Sequence, residues 1–417
     1  MSNNFSTPAL VFNCDYNGLA LIQSLGRRGV PVLALDSVRS IGTYSRYARF
    51  RHVPNPLTNE QGFIAALLRM GRELDGKPLL LPTNDHWSEA VARHKEQLVE
   101  HYVLSGSSME VVSLLLDKER FGRWALAKGL PVPRVWSARE VLEQTNSLQY
   151  PVAVKANARR RPGQDPKGLH AARAADRWRF IVCDSAKELA ATLNSAAAHK
   201  VAVFCQQVVQ GRSEHMRTIG VYAHDGTVHG IVYGRKIRGY PPGSGDCIVG
   251  QAEPVPDWAR TLARVLCQEL SYTGIAEIEI MEDAHSGERF LIEVNPRSWS
   301  WVGVAQEAGV DLAWLAYADL VLDQQPNACL TSCQDGEPVI YSKILADFQN
   351  TALWYRYSNA PDWVFTPRQW WHTYGGRKCV FAEFAADDPW VSVYSILQSG
   401  KQFAGRLRQA LLDRLNG

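Results

Sequence analysis

Residues 273–301, TGIAEIEIMEDAHSGERFLIEVNPRSWSW, carry the pattern from which the rest of the chain is read. Two runs of alternating apolar and polar residues flank Asp283-Ala-His-Ser-Gly287, a short polar segment with glycine at its end, and predict an antiparallel hairpin. Alternation puts Ile275, Glu277, Glu279 and Met281 on one face of the first strand, and Arg289, Leu291, Glu293 and Asn295 on one face of the second. Where those faces meet, oxygen-bearing side chains converge. Two carboxylates and an amide oxygen are hard donors that suit Mg²⁺, which usually reaches its protein through one or two carboxylates and its substrate's phosphates. Pro296 removes a backbone donor and ends the strand, so Arg297 leaves the sheet beside these groups. The same spacing also describes a sheet face wetted on one side, with glutamates that only keep it soluble. Spacing alone leaves both readings open.

The run Leu291-Ile-Glu-Val-Asn-Pro-Arg297, preceded by Gly274-Ile-Ala-Glu-Ile-Glu279, resembles the metal-binding end of the ATP-grasp ligases. The resemblance implies that Glu279, Glu293 and Asn295 hold Mg²⁺, or Mn²⁺ in its place, and that Arg297 faces a transferred phosphoryl group.

Composition limits the alternatives. A chain of 417 residues, 46% hydrophobic and 21% charged, buries a sizeable core, forms two or more domains and is not disordered. Its 45 Lys and Arg against 42 Asp and Glu leave +3, too little to make nucleic acid or an anionic membrane the main partner. The ligand expected is small. The start, MSNNFSTPAL, has neither a basic nor a long apolar region, and no apolar run reaches the ~18 residues of a membrane span, so the cytoplasm is the expected location. Eight scattered cysteines fit a reducing compartment, and Cys329 and Cys333 lack the second pair or histidine that zinc needs.

The first hundred residues read as an open α/β layer. Ala9–Phe12 is a short apolar strand, Leu19–Arg28 a helix, and 30–36 a second strand ending in Asp36. The first turn has one glycine, Gly18, where a dinucleotide fingerprint needs three, which argues against NAD or FAD. A further strand, Pro78–Pro82, runs into Thr83-Asn-Asp85-His86. Ligands of such sheets lie beyond the carboxyl ends of the strands, so Thr83 and Asp85 are candidates for substrate contact; capping of a helix from His86 to Val99 is the other reading. Ser45-Arg46-Tyr47 and Val53-Pro54 resemble stretches of the amino-terminal domain in the D-aspartate-ligase-like branch of the same superfamily.

From Val111 to Gly129 the spacing is helical and includes Asp117-Lys118; Gly129-Leu-Pro-Val-Pro133 stops it. Tyr150-Pro-Val-Ala-Val-Lys155 is a strand with a lysine among apolar residues. Asp-Lys, Gly-x-Pro-x-Pro and Tyr-Pro-x-x-x-Lys resemble, in that order, the entry to the ATP-grasp nucleotide lid, which implies Lys118 and Lys155 as nucleotide ligands; for Lys118 a solvated helix lysine is the alternative. The polar stretch Asn157–His170 reads as a lid loop, and none of Arg159, Arg160 and Arg161 is singled out. Val201–Gly211 resembles the hinge where adenine is read. On an extended chain the Gln207 carbonyl and Val209 amide point to one edge, Gln206 adds a polar contact, and Glu214 matches the acid at the ribose hydroxyls. Tyr233–Gly245 gathers Arg235, Lys236 and Arg238 before a Pro- and Gly-rich stretch. By itself it reads as an anion nest, a nucleic-acid patch or a solvated loop. It resembles a segment of the carboxylate–amine ligases, which implies Lys236 and Arg238 as contacts to ATP or an acyl phosphate.

The fold class expected is α/β and α+β: an ATP-grasp fold behind a Rossmann-like pre-ATP-grasp domain, with a carboxy-terminal extension. The divisions expected are 1–110, 111–205, a metal-bearing 206–330, and 331–417, for which no role is legible. The resemblance spans roughly residues 8 to 325. It implies ATP-dependent activation of an amino acid or similar small carboxylate to an acyl phosphate, then attack by an amine, with release of ADP and phosphate. A small-molecule kinase and a non-catalytic ATP-binding regulatory module are the alternatives. The partners implied are a small carboxylate and an amine, with neither nucleic acid nor membrane, and a homodimer is compatible with all of this.

Overall fold

The computed structural model describes residues 5–144, 147–157, 178, 180–240, 246–354 and 365–415, with side chains described for all of these except 352–354 and 409–415. Three sheets follow one another along the chain. The first is parallel, with strands β1 (Ala9–Phe12), β2 (Val32–Asp36), β3 (Ala48–His52), β4 (Leu79–Leu81) and β5 (Val103–Leu104) in the order β3-β2-β1-β4-β5. Its central strand ALVF is buried along its whole length, as expected of a strand covered on both faces. The second sheet is antiparallel, with β6 (Val135–Ser137), β7 (Val152–Ala156), β8 (Ile181–Cys183) and β9 (Val203–Gln207) in the order β6-β9-β7-β8.

The third sheet is the frame of the molecule. It contains β10 (Met216–His224), β11 (Thr227–Tyr240), β12 (Asp246–Glu253), β13 (Gly274–Glu282), β14 (Arg289–Asn295), β15 (Leu330–Thr331), β16 (Val339–Ser342) and β17 (Lys378–Phe381). The order is β14-β13-β10-β11-β12-β16-β17, with β15 beside β11. The sheet therefore runs on through position 330 into the carboxy-terminal segment.

Each face of this sheet has its own core. Ile219, Val221, Ile278, Ile280, Leu291 and Val294 pack on the helix Asp257–Glu269 and on two short helices, Met109–Leu116 and Lys118–Ala127. The opposite face carries Tyr222, Val232 and Ala252, and packs with Trp299 and Trp301 against the first sheet and the helix Leu312–Leu322. Glycines make room for the tryptophans: a Cβ on Gly220 would stand 1.9 Å from the Trp299 ring, and one on Gly250 2.8 Å from Trp301. Among the described residues no helix is long and apolar enough to cross a membrane.

Several expected elements break where a polar residue turns back to cap the next one. The single helix expected over 111–129 is two, because Asp117 leaves the helical region and accepts from the Arg120 amide. In the same way Asn84 caps Asp85–Arg93, which ends well before Val99. Asp36 is more than a strand end: its carboxylate accepts from the Cys14 and Ser37 amides and the Ser40 hydroxyl, and so holds the turn after β1.

Candidate functional site

The hairpin forms at β13 and β14, and its loop is organised by Asp283, which accepts from the amides of His285, Ser286 and Gln210. These hydrogen bonds hold its carboxyl at about 2, below the usual range. The register places Glu279 directly opposite Glu293 and Glu277 opposite Asn295. One expectation about this face is corrected. A bulge at Ile292 sets Leu291 opposite Ile280, so Leu291 belongs to the core on the far side, and Arg289 stands opposite Glu282 instead of joining the glutamate face.

Three of the oxygen-bearing side chains form one network with Arg297, while the fourth, Glu293, pairs with Lys118. The Asn295 amide donates to Glu277 at 3.0 Å and to Glu279 at 3.2 Å, while its oxygen accepts from the Arg297 guanidinium at 3.3 Å. Glu277, Glu293 and Asn295 are buried. Burial, and then the charge of Glu279, push Glu277 up to about 8, against the pull of Arg297 and Lys236. Crowded carboxylates are what a cation relieves, so the opposed Glu279 and Glu293 fit Mg²⁺, and Asn295 would add its oxygen by turning it away from Arg297. Among the described residues no group of three or more His, Cys, Asp or Glu side chains is set to hold a metal unaided.

Arg297 leaves the end of β14 and is anchored twice more: Nε donates to Asp85 at 2.7 Å and Nη1 to the Ser298 carbonyl at 2.9 Å. Burial opposes its charge, but Asp85, Glu277 and Glu279 together raise its pKa above the ordinary value. Asp85 thus reaches the site through Arg297. Its neighbour Thr83 does not: Thr83 is 1% exposed, and its hydroxyl donates to the Phe12 and Asn13 carbonyls, so the expected substrate contact is corrected to a tie between β4 and the turn after β1. Asn17, which the sequence did not single out, links the same turn to the site, donating to the Thr83 carbonyl at 2.6 Å and to the Ser298 carbonyl at 3.4 Å.

The two expected nucleotide lysines lie in different settings. Lys118 opens its helix and its ammonium pairs with the Glu293 carboxylate. Lys155, half-buried on β7, donates to the Gln206 side chain at 3.0 Å, and Gln206 is buried on β9. Gln207 ends β9; its amide donates to the Arg134 carbonyl at 2.8 Å, its side-chain oxygen accepts from the Arg134 amide, and Val209 follows beyond the ladder. Glu214 is exposed in the turn Ser213–His215. Residues 158–170, most of the expected lid loop with its three arginines, lie outside the described residues.

Lys236 and Arg238 part company. Lys236 stands opposite Gly250, but the ladder slips at Ile237, so Arg238 stands opposite Val249 and faces the other side of the sheet. Lys236 is half-buried on the glutamate face, close enough to lower the pKa of Glu277. Arg238 is buried and forks onto Asp347, with Nε to Oδ1 at 2.8 Å and Nη2 to Oδ2 at 2.7 Å. Its expected contact to ATP or an acyl phosphate is therefore corrected to a buried ion pair with the carboxy-terminal segment.

Known proteins give the fold a family setting. The D-aspartate ligase of Enterococcus faecium (strain Aus0004) is 23% identical over 299 residues, 67% of this chain and 68% of that protein. An L-amino acid ligase from Bacillus licheniformis matches in structure with a TM-score of 0.54 at 18% identity, over 76% of this chain and 74% of that one. An N5-carboxyaminoimidazole synthetase from Staphylococcus aureus, complexed with ADP, gives 0.60 at 14% identity, over 87% and 88% of the two chains. No family model matches the chain. With the hairpin, the two flanking sheets and these neighbours in place, the chain has the ATP-grasp fold and resembles the carboxylate–amine ligases built on it.

Proposed function

We propose that the protein is an ATP-dependent carboxylate–amine ligase acting on an amino acid or a related small carboxylate. The observation that carries this reading is the direct opposition of Glu279 and Glu293, joined by Asn295 and closed by Arg297, in an ATP-grasp fold. Glu279, Glu293 and Asn295 are assigned to Mg²⁺, or Mn²⁺, which when bound neutralises phosphate charge. Lys155, Gln206 and Lys118 are assigned to the nucleotide; Lys118 pairs with Glu293 and would be released to it if Glu293 held a cation. A substrate carboxylate oxygen attacks the γ-phosphorus, the bond to the β-phosphate oxygen breaks, and ADP leaves. The amine nitrogen then attacks the acyl carbon, phosphate leaves with the bonding electron pair, and the nitrogen loses its proton. Arg297, held from two sides, is a fixed positive charge at the point where negative charge builds up, and a preorganised group of this kind stabilises the transition state without rearranging.

Hydroxylamine in place of the amine tests this. A screen of amino acids with ATP and Mg²⁺ is expected to give the hydroxamate of the true acid together with ADP and phosphate. Arg297→Ala should suppress hydroxamate by roughly a hundredfold while ATP affinity stays near wild type, the loss expected for one transition-state contact. AMP and pyrophosphate as products would refute the mechanism, and ADP with a stable phosphorylated product would point to a kinase.

A further inference from the structure

The side of the glutamate face beyond Lys236 is furnished by the carboxy-terminal segment. β16 runs beside β12 with Tyr341 opposite Gly250, and the Tyr341 hydroxyl donates to the Ser300 carbonyl at 3.0 Å. Lys343 follows. Its half-buried ammonium lies over the Tyr16 ring, 4.3 Å from the centroid, and among the described residues it makes no ion pair, although its charge acts on Glu383. Tyr16 begins the helix after the turn that closes β1, and the next residue, Asn17, touches Ser298 beside Arg297. Lys343 thus reaches the helix start after β1, on the side where an open parallel sheet receives its ligands. Over the Tyr16 ring, it stands beside the residue, Asn17, that ties the first sheet's turn to Ser298 next to Arg297.

The turn bearing this lysine is fixed at both ends by buried carboxylates. At its start Glu383, 1% exposed, accepts from the Ile344 amide at 2.9 Å. At its end Asp347, fully buried, takes the Arg238 fork, Trp370 Nε1 at 2.7 Å and the Tyr374 hydroxyl at 2.5 Å, while its amide donates to the Lys343 carbonyl at 2.8 Å. The Lys343 amide itself donates to the Ile248 carbonyl at 2.9 Å. A solvated surface lysine has no use for this support. The acid its charge acts on is Glu383, which is engaged by the Ile344 amide.

We propose that Lys343 is a substrate-binding residue supplied by the carboxy-terminal segment, holding a carboxylate other than the one that is phosphorylated. The proposal rests on the ligase reading for the word substrate. That second carboxylate belongs either to the acid or to an amino acid serving as the amine. Arg238 and Asp347 are positioning residues for the turn.

The test is calorimetric titration of the full chain, with Mg²⁺ and ADP present, by D- and L-aspartate and D- and L-glutamate, each against its side-chain amide. Wild type, Lys343→Met and Lys343→Arg are compared. At least one diacid is expected to bind wild type more tightly than its amide does. In Lys343→Met that preference is lost and affinity falls roughly tenfold or more, the scale of one charge-assisted hydrogen bond. Lys343→Arg should stay near wild type. In turnover with hydroxylamine, a rise in KM for the acid with kcat little changed assigns the carboxylate to the acid. A rise in KM for an amino-acid amine alone, with hydroxamate formation untouched, assigns it to the amine. Equal affinities in wild type and Lys343→Met, or no diacid binding to wild type, overturn the proposal. Lys343-dependent binding without ADP release from any acid would sink the ligase reading and leave this one standing.

Discussion

Glu277 is the residue on which the chemistry of the site presses hardest. Burial and the neighbouring Glu279 raise its pKa to about 8, whereas in the unfolded chain it ionises in the ordinary carboxylate range. Between those values the native protein holds a proton that the unfolded chain has released. Its contribution to stability is complete below the unfolded pKa and is lost as pH rises through about 8. The melting temperature of the nucleotide-free protein should therefore fall between about pH 6 and about pH 8, and Mg²⁺ with ADP should flatten the curve, because a cation favours the ionised form. Glu277→Gln should show no such slope. A flat wild-type curve would mean that Glu277 is ionised throughout. Glu293→Gln probes the same corner from the other strand: it removes a charged ligand and the partner of Lys118, and should abolish Mg²⁺-dependent ATP turnover while circular dichroism stays native. Unchanged turnover at limiting Mg²⁺ would remove Glu293 from the metal.

At the level of elements, two one-residue slips separate what the sequence disclosed from what it hid. Alternation put Glu277 with Glu279 and Glu293 with Asn295, because both strands keep their period there; which residue faces which comes from the register. Nothing in the spacing marked the bulge at Ile292 or the one at Ile237, since a bulge is fixed by what each strand packs against and not by its own residues. Leu291 and Arg289 were therefore placed on the wrong face, and Arg238 was expected at the nucleotide. The same limit hid the break at Asp117, where a capping side chain competes with a helical pattern that reads as continuous. The corrected position of Arg238 has an energetic consequence. Arg238→Met would leave Asp347 charged and buried with only Trp370 and Tyr374 as side-chain donors among the described contacts, and breaking a buried pair in this way costs about 3–5 kcal/mol. Denaturant unfolding should register that loss. A variant as stable as wild type would show that water or another donor takes the place of the guanidinium.

At the scale of the whole molecule, residues 331–417 are where the sequence was silent, and the reason is distance along the chain. Two of their acids, Asp387 and Asp388, find partners more than three hundred residues away, so no local pattern can announce them. Asp388 is fully buried and accepts from the Ser45 hydroxyl at 2.5 Å, the Arg46 amide at 2.9 Å and Gln23 at 3.0 Å. Beside it Asp387 takes the Arg27 guanidinium at 2.7 Å and the Tyr47 hydroxyl at 2.8 Å. The carboxy-terminal segment thus continues the third sheet through β16 and β17 and also ties down the first sheet's layer, so the two layers flanking Arg297 are held in register by residues that carry no nucleotide ligand. Lys155 and Gln206 sit in the second sheet, whose strands pair only with one another among the described residues. Asp388→Ala should therefore separate two properties that a single cooperative block would lose together. It leaves three donors without their acceptor and should lower stability by about 3 kcal/mol or more, with faster hydrogen exchange over residues 40–50. Affinity for ATP, measured below the onset of unfolding, should stay within about threefold of wild type, since differences that small correspond to less than 1 kcal/mol. A large loss of ATP affinity in the folded variant would show that the first sheet's layer shapes the nucleotide site directly.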